Sequence, residues 1–380
     1  MRFPKEKIRD VALIATNLHR RYSGINSTLE RVVSKQDQIF GALVFGYAPS
    51  IPHLKTLPWY HFWKLWLKPS VKPFRIWHAR RNNDMIVGII FRDILRMPLR
   101  LVFTSAGARH YSKFTQYLMA EMDALIATSP PAALCLKRLA VAIPHGMDLQ
   151  IFCPAIDKSD LRKSLGIPKG IVVGCFGRIR PSKGTDLFLE AMFSIMEERE
   201  DVSLLLAGLV KKEHTDFFQQ LVSQVSTKNL LNRFIQLGEV SMEKIPDLYR
   251  CLDVYVTASH VESFGVTPLE AMASGIPVVA TRVGTFETQI VEGETGFLVP
   301  PGDVHGLRDR IEYLIENPER REKMGRAARN HVVEHFGIDR EVQAIDSVYE
   351  TLWKSASVTL KNMHPKTGRL FGRGWIGSKR

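Results

Sequence analysis

The sequence predicts an α/β protein made of two doubly wound domains, and three observations predict it. Short apolar runs alternate with helical patterns through the first 150 residues and again from residue 171, the pattern of parallel strands joined by crossover helices. At 380 residues the chain is long enough for two domains that each bury a core. Its 45% hydrophobic and 24% charged residues describe a globular chain and exclude a disordered one.

In the first half the predicted strands are VALIAT (11–16), IFGALVF (39–45), FRIWHA (74–79), LRLVFT (99–104), DALIAT (123–128) and VAIP (141–144). A Pro- and charge-containing stretch at 153–170 follows, with a short helix in it. The second series is IVVGCFG (171–177), VSLLLAG (202–208), RFIQLG (233–238), DVYVT (253–257), IPVVAT (276–281) and GFLVP (296–300). From residue 303 to about Lys354 the pattern is helical. The expected organisation is a first domain at 1–152, a linker at 153–170 and a second domain at 171–335. A crossover helix at 336–360 packs back toward the first domain, and a basic mobile tail at 361–380 carries six Lys or Arg and no acid.

A net charge of +13 and a pI near 9.6 predict attraction to polyanions, without choosing among nucleotides, anionic lipid and nucleic acid. Cys135, Cys153, Cys175 and Cys251 lie far apart in mostly apolar surroundings with no C-x-x-C, so buried thiols in a reducing compartment are expected and no disulfide. The basic N-terminus precedes only a short apolar run without a cleavage site, which is a first strand and not a signal. Arg92, Asp93, Arg96 and Arg100 interrupt the most apolar stretch, so no membrane span is expected.

The segment His260–Thr281, HVESFGVTPLEAMASGIPVVAT, sets Glu262 and Glu270 around a Phe-Gly turn. Glu262 falls in the loop at the carboxyl end of the 253–257 strand, where open α/β sheets collect ligands. Thr267 fits the N-cap of the next helix, Pro268 its first position and Glu270 its third. Two readings stay open for Glu270: a ligand-binding acid, or one half of a capping box with Thr267. A capping box has no use for Glu262.

After the first strand of the second series comes Gly177–Gly184, GRIRPSKG, leading into a helix at about Thr185. A strand, a turn with cations at Arg178 and Lys183, and a helix start make an anion cradle. In this turn the order of a Walker A loop is absent, and so is G-x-G-x-x-G. The alternative is a solvated basic turn, which the Glu262–Glu270 segment at the same sheet edge argues against.

Together these motifs resemble the retaining, nucleotide-sugar-dependent glycosyltransferases of the GT-B fold, family four, most strongly over residues 171–300. The resemblance implies two Rossmann-like domains facing across a cleft. It implies that Arg178 and Lys183 hold the donor diphosphate, that Glu270 binds the ribose and that Glu262 lies near the donor sugar. Phe264, Gly265 and Val266 would offer backbone amides. Ser23-Gly24-Ile25 stands where the family has a Gly-Gly turn beside the phosphate; Ser23 departs from that pattern, and Gly24 is the donor contact carried over. Pro144–Asp148 (PHGMD) matches the family's P-N-G-V-D with His145 for Asn, a structured hinge. His110, in TSAGARHYSKF, is the candidate for a His that touches the donor sugar, the alternative being an ordinary surface His. Since two cations stabilise a departing diphosphate as a metal would, neither a metal nor another cofactor is expected.

Within this family the run WHARRNND and the downstream FTSAGARHYSKFTQYL resemble lipopolysaccharide core mannosyltransferases of alphaproteobacteria. That resemblance implies GDP-mannose as donor, the Kdo of Kdo-lipid A as acceptor, and Arg80, Arg81 and Arg109 against the acceptor's carboxylates and phosphates, where a guanidinium fork suits better than an ammonium. A basic rim serving solubility is the alternative. Upstream, Leu54–Trp77 holds four of the six Trp among interleaved cations. Trp59, Trp63 and Trp66 with Lys64 and Lys68 suit an anionic membrane surface, giving a cytoplasmic enzyme peripheral on the inner membrane. The helical spacing of the three Trp also suits a core, and stacked aromatics suit nucleic acid; a lipid-linked acceptor favours the membrane over nucleic acid. HVVEH (His331–His335) matches an H-x-x-E-H zinc pattern but has no further ligand in sight. The expected activity is mannosyl transfer; other readings are a different nucleotide sugar on a lipid-linked acceptor, a nucleotide-sugar epimerase on the same fold, or a non-catalytic basic binding module.

Overall fold

The computed structural model describes residues 8–19, 24–47 and 54–355, with backbone alone at 24–28. Ser23 and the 361–380 tail lie outside these residues. The chain divides into two units, Met1–Pro144 with Val342–Arg380, and His145–Glu341.

Among the described residues the first unit holds a parallel sheet of order β3-β2-β1-β4-β5-β6-β7. Its strands are β1 (Leu13–Asn17), β2 (Ala42–Gly46), β3 (Thr56–Leu57), β4 (Arg75–Ala79), β5 (Leu99–Ser105), β6 (Ala124–Ala127) and β7 (Val141–Ala142). The second unit holds a parallel sheet of order β10-β9-β8-β11-β12-β13. These strands are β8 (Ile171–Phe176), β9 (Val202–Ala207), β10 (Phe234–Gln236), β11 (Val254–Thr257), β12 (Val278–Thr281) and β13 (Gly296–Val299). Helices cover both faces of such sheets, so their strands are apolar throughout. The burial agrees: every residue of β1, β9, β11, β12 and β13 is buried.

Each of the twelve predicted runs overlaps a strand, and three of the strands run one residue further. The 39–45 run overreached, because Ile39 and Phe40 end the helix Gly24–Phe40. The short strand β3 gave no sequence signal, since two residues carry no alternation.

Residues 153–170, expected as a linker, are fastened to the second unit. Arg250 donates from Nε to the Cys153 carbonyl at 3.0 Å, and Arg162 from Nε to the Cys251 carbonyl at 2.8 Å. Lys158 and Arg162 also share Asp253. All four cysteines are free. Cys175 and Cys251 are buried, which pushes their thiols up to about 12 and about 11 respectively; Cys135 and Cys153 are only half-buried, which corrects the expectation of uniformly buried thiols.

The C-terminal helix Ile338–Lys354 packs on the first unit from Val342 onward, as expected. Gln36 reaches Asp346 at 2.6 Å, Lys72 pairs with Glu350 at 2.7 Å, and the Trp353 indole donates to the Phe74 carbonyl at 3.0 Å. Inside, His78 on β4 is buried, with Nδ1 2.5 Å from the Tyr349 hydroxyl and Nε2 2.7 Å from the Thr104 hydroxyl. Burial, and secondarily the Arg80 charge, hold this imidazole well below its ordinary 6.5, so it is neutral.

Two outcomes follow. Tyr349→Phe should cost about 1–3 kcal/mol in chemical denaturation, by leaving a buried ring nitrogen without its partner. The unfolded chain binds a proton at His78 near pH 6.5 while the folded chain does not. The His78 contribution is therefore present above pH 6.5 and is lost as pH falls below it. In His78→Gln, denaturation midpoints should fall less steeply between pH 7 and 5 than in the unaltered protein.

Candidate functional site

The strand order of the second sheet reverses between β8 and β11, and ligands of open α/β sheets collect beyond the carboxyl ends of such a pair. The chain leaves β8 as the Gly177–Gly184 turn and β11 as the Ala258–Val266 loop, so both motifs border one switch point. Pro181–Lys183 forms a single 3₁₀ turn that ends on Gly184 in the left-handed region, φ +63°. A Cβ at Gly184 would stand 1.9 Å from the Ala258 carbonyl oxygen, so only glycine lets the turn lie on the end of β11. The His260 amide then donates to the Ser182 carbonyl at 3.1 Å, joining the two loops.

This approach brings the predicted cation and acid together: Lys183 Nζ forms an ion pair with Glu262 Oε2, both side chains being partly exposed. Glu262 Oε1 accepts the Ser263 amide at 3.0 Å. Arg178 lies on the same turn, exposed, and makes no hydrogen bond or ion pair among the described residues. The solvated-turn alternative does not account for a lysine held by an acid 79 positions away.

Glu270 behaves differently. It is 6% exposed, and its Oε2 accepts the Tyr249 hydroxyl at 3.1 Å. Beside it the Tyr255 hydroxyl donates to the Phe176 carbonyl at 3.1 Å, and burial pushes both phenols well above their usual range. The helix runs Thr267–Ala273 and is preceded by Val266, with no side-chain cap. Thr267 is therefore its first residue and not its N-cap, Pro268 its second and Glu270 its fourth, which removes the capping box. Gly265, at φ +68°, stands two residues before this start. Phe264 is buried, its ring edge-on to His145 at 4.9 Å. His145 in turn stands 2.9 Å from Glu341, whose other oxygen accepts the Gly146 amide at 2.8 Å, an ordered junction.

In the first unit the strand order reverses between β1 and β4. Gly24 opens the helix that follows β1, and Arg80 and Arg81 follow β4 directly. The carboxylate of buried Asp84 accepts both arginine amides at 3.0 Å, fixing the backbone there. Arg109 and His110 are exposed in the loop after β5. The Arg109 guanidinium lies 5.1 Å from the Tyr111 ring centroid, and the Tyr111 hydroxyl is 2.5 Å from Ser105 Oγ. The predicted acceptor residues thus share the carboxyl edge of one sheet.

Trp59–Trp66 is a 3₁₀ segment with a kink at His61. Trp59 is 66% exposed, and Trp63, Trp66 and Lys68 are exposed too, so these three Trp are not core. Lys64 is 6% exposed, with its ammonium 5.8 Å from the Trp63 ring. The kink turns it inward, which corrects its assignment to the outer face. His331 and His335 sit edge to face at 4.7 Å within the helix Pro318–His335. Among the described residues no group of three or more His, Cys, Asp or Glu could hold a metal ion.

Sequence reasoning missed Tyr249 as the partner of Glu270, and it missed Arg75. Arg75 is fully buried on β4, its guanidinium bonded to the Ile8, Val11, Leu65 and Leu67 carbonyls, and burial lowers it to about 10. An Arg inside a hydrophobic run was the available signal.

Residues 157–331 match the family Glycosyl transferases group 1. The lipopolysaccharide core biosynthesis mannosyltransferase LpcC of Rhizobium leguminosarum bv. viciae is 41% identical, covering 91% of this chain and 97% of that one. LpsB of Rhizobium meliloti, of the same description, is 39% identical over 91% of this chain and 99% of its own. The structure of Anabaena HepE in complex with UDP superimposes with a TM-score of 0.78 at 22% identity, covering 90% of this chain and 100% of that one. The fold is GT-B.

Gly184→Ala should place a methyl group against the Ala258 carbonyl and force a left-handed alanine. A loss of at least about 2 kcal/mol in the denaturation of the protein is expected, while Gly166→Ala, with open space around it, should cost less.

Proposed function

The chain belongs to the group 1 glycosyl transferases, and from that premise we propose that it carries mannose from GDP-mannose to the Kdo of the lipopolysaccharide inner core with retention. The Lys183–Glu262 pair at the second sheet's switch point, with Arg178 exposed beside it, carries the donor half of this reading. Likeness over nine-tenths of the chain to two lipopolysaccharide core mannosyltransferases supports the sugar and the acceptor.

In this mechanism Arg178 and Lys183 neutralise the leaving diphosphate as the bond to the anomeric carbon breaks. The acceptor hydroxyl attacks from the same face, and its proton passes to the departing phosphate oxygen, leaving GDP and the mannosylated acceptor. Glu262 bears on the donor sugar and Glu270 on the ribose. Gly265, Val266 and the Phe264 backbone give amides, Gly24 is a further donor contact, and His110 contacts the sugar. Arg80, Arg81 and Arg109 receive the anionic acceptor. Two cations at the diphosphate make a metal unnecessary.

Among the described residues no helix is long and apolar enough to cross a membrane. The reading is attachment to the cytoplasmic face of the inner membrane through Trp59, Trp63, Trp66 and Lys68, supported by their exposure and by the net charge of +13.

Transfer of labelled mannose from GDP-mannose to Kdo-lipid A, unaffected by EDTA, is the expected result. Lys183→Ala should lower kcat on the order of a hundredfold or more, about 3–4 kcal/mol in the barrier. Consumption of UDP-sugars alone would reject the donor, and sugar interconversion without transfer would mark an epimerase.

Replacing Trp59, Trp63 and Trp66 together by Ala should release the protein from vesicles containing anionic phospholipid in a flotation assay, with transfer to a soluble acceptor retained. Equal flotation of the variant would reject the docking surface.

A further inference from the structure

We infer that Thr285 and Gln289 are positioning residues for the donor diphosphate, holding the peptides after Phe264 and Gly265 so that the Gly265 and Val266 amides face outward. This rests on the donor reading above. Both residues belong to the segment after β12, outside the two motifs.

Gln289 is 0% exposed. Its Nε2 donates to the Phe264 carbonyl at 2.9 Å, to the Gly265 carbonyl at 3.2 Å and to Thr285 Oγ1 at 2.8 Å. The Thr285 hydroxyl, also buried, donates to the Phe264 carbonyl at 2.6 Å. Two carbonyls around one end of the side chain fix that end as the amide nitrogen. Successive carbonyls of the loop are thereby drawn into the protein.

A trans peptide points its N–H opposite to its C=O, and among the described residues none of the peptide bonds is cis. Drawing in the Phe264 carbonyl therefore turns the Gly265 N–H outward, and drawing in the Gly265 carbonyl does the same for Val266. Both residues are partly exposed, and neither amide donates a hydrogen bond among the described residues. Gly265 has φ +68°, and a Cβ there would stand 2.4 Å from the Phe286 ring and 2.8 Å from Glu262 Cγ. The segment that carries the clamp thus also abuts the loop from below.

A purely packing role fits Gln289 poorly. Its Oε1 is buried without a hydrogen-bond partner, a cost that an aliphatic side chain among Phe286 and Ile290 would avoid. Only an amide or a similar donor holds two successive carbonyls, and the product of that grip is a pair of outward N–H groups three and four positions from Glu262. Such donors serve an anion, and the Lys183 cradle supplies the matching cation.

The test titrates the full chain with GDP and GMP by calorimetry, with UDP and UMP run beside them. Gln289→Met keeps the length and loses both donors; Thr285→Val loses the hydroxyl and Thr285→Ser keeps it. Gln289→Met and Thr285→Val should weaken diphosphate binding about tenfold or more while monophosphate binding changes little, and Thr285→Ser should restore the ratio. Unchanged ratios, or equal losses for diphosphate and monophosphate, overturn the inference. Should Gln289→Met fail to fold, the Thr285 pair decides. If the unaltered protein binds neither nucleoside diphosphate, the donor reading itself fails.

Discussion

The contact between Gly184 and the end of β11 governs the geometry of the second unit's proposed donor site. Everything attributed to the basic turn requires it to lie against the loop that carries Glu262, and a backbone carbonyl 1.9 Å from a would-be Cβ leaves room only for hydrogen. Once the loops meet, Lys183 and Glu262 pair in a setting neither fully wet nor fully dry. That setting suits exchange. A fully exposed pair holds nothing in place, and a fully buried one leaves an uncompensated charge when a partner departs. In the proposed donor site an arriving diphosphate would replace one anion by another around the same ammonium, and Arg178 would add a second cation.

The sheets were legible because buried parallel strands are continuous apolar runs. The cation and the acid were legible because strand order and strand ends place them at one edge, whatever the loops do in detail. Glu270 was half legible. Its presence near the turn followed from spacing, but the helix starts one residue earlier than a Thr267 cap requires, and the carboxylate meets the Tyr249 hydroxyl. Lys64 shows the same sensitivity, since a kink at His61 turns inward a residue that regular spacing puts outside. Thr285 and Gln289 gave no signal, because their value lies in carbonyls over twenty positions away.

The first unit solves a different problem, holding charged residues at a sheet edge with polar groups buried behind them. Arg75 anchors β4 by filling four carbonyls, and His78 further along anchors it through Thr104 and Tyr349. A protonated His78 would add a buried charge beside Arg80, so the neutral ring belongs with the arginine pair that follows it. The C-terminal helix thus helps to fix the strand that delivers Arg80 and Arg81.

Glu262 and Glu270 are two acids of one loop and helix, yet their surroundings divide their work. Glu262 is tied to a mobile type of side chain, a lysine, and can yield it to a ligand; Glu270 is tied to a buried phenol whose proton burial holds in place. An acid held that way keeps its geometry whether or not a ligand is present, which suits a fixed group such as a ribose. An acid that trades partners suits the region where charge changes during reaction. With the Thr285–Gln289 clamp fixing the amides between them, the flexible element of the proposed donor site reduces to Lys183 and Arg178, the two side chains whose charge the departing diphosphate needs.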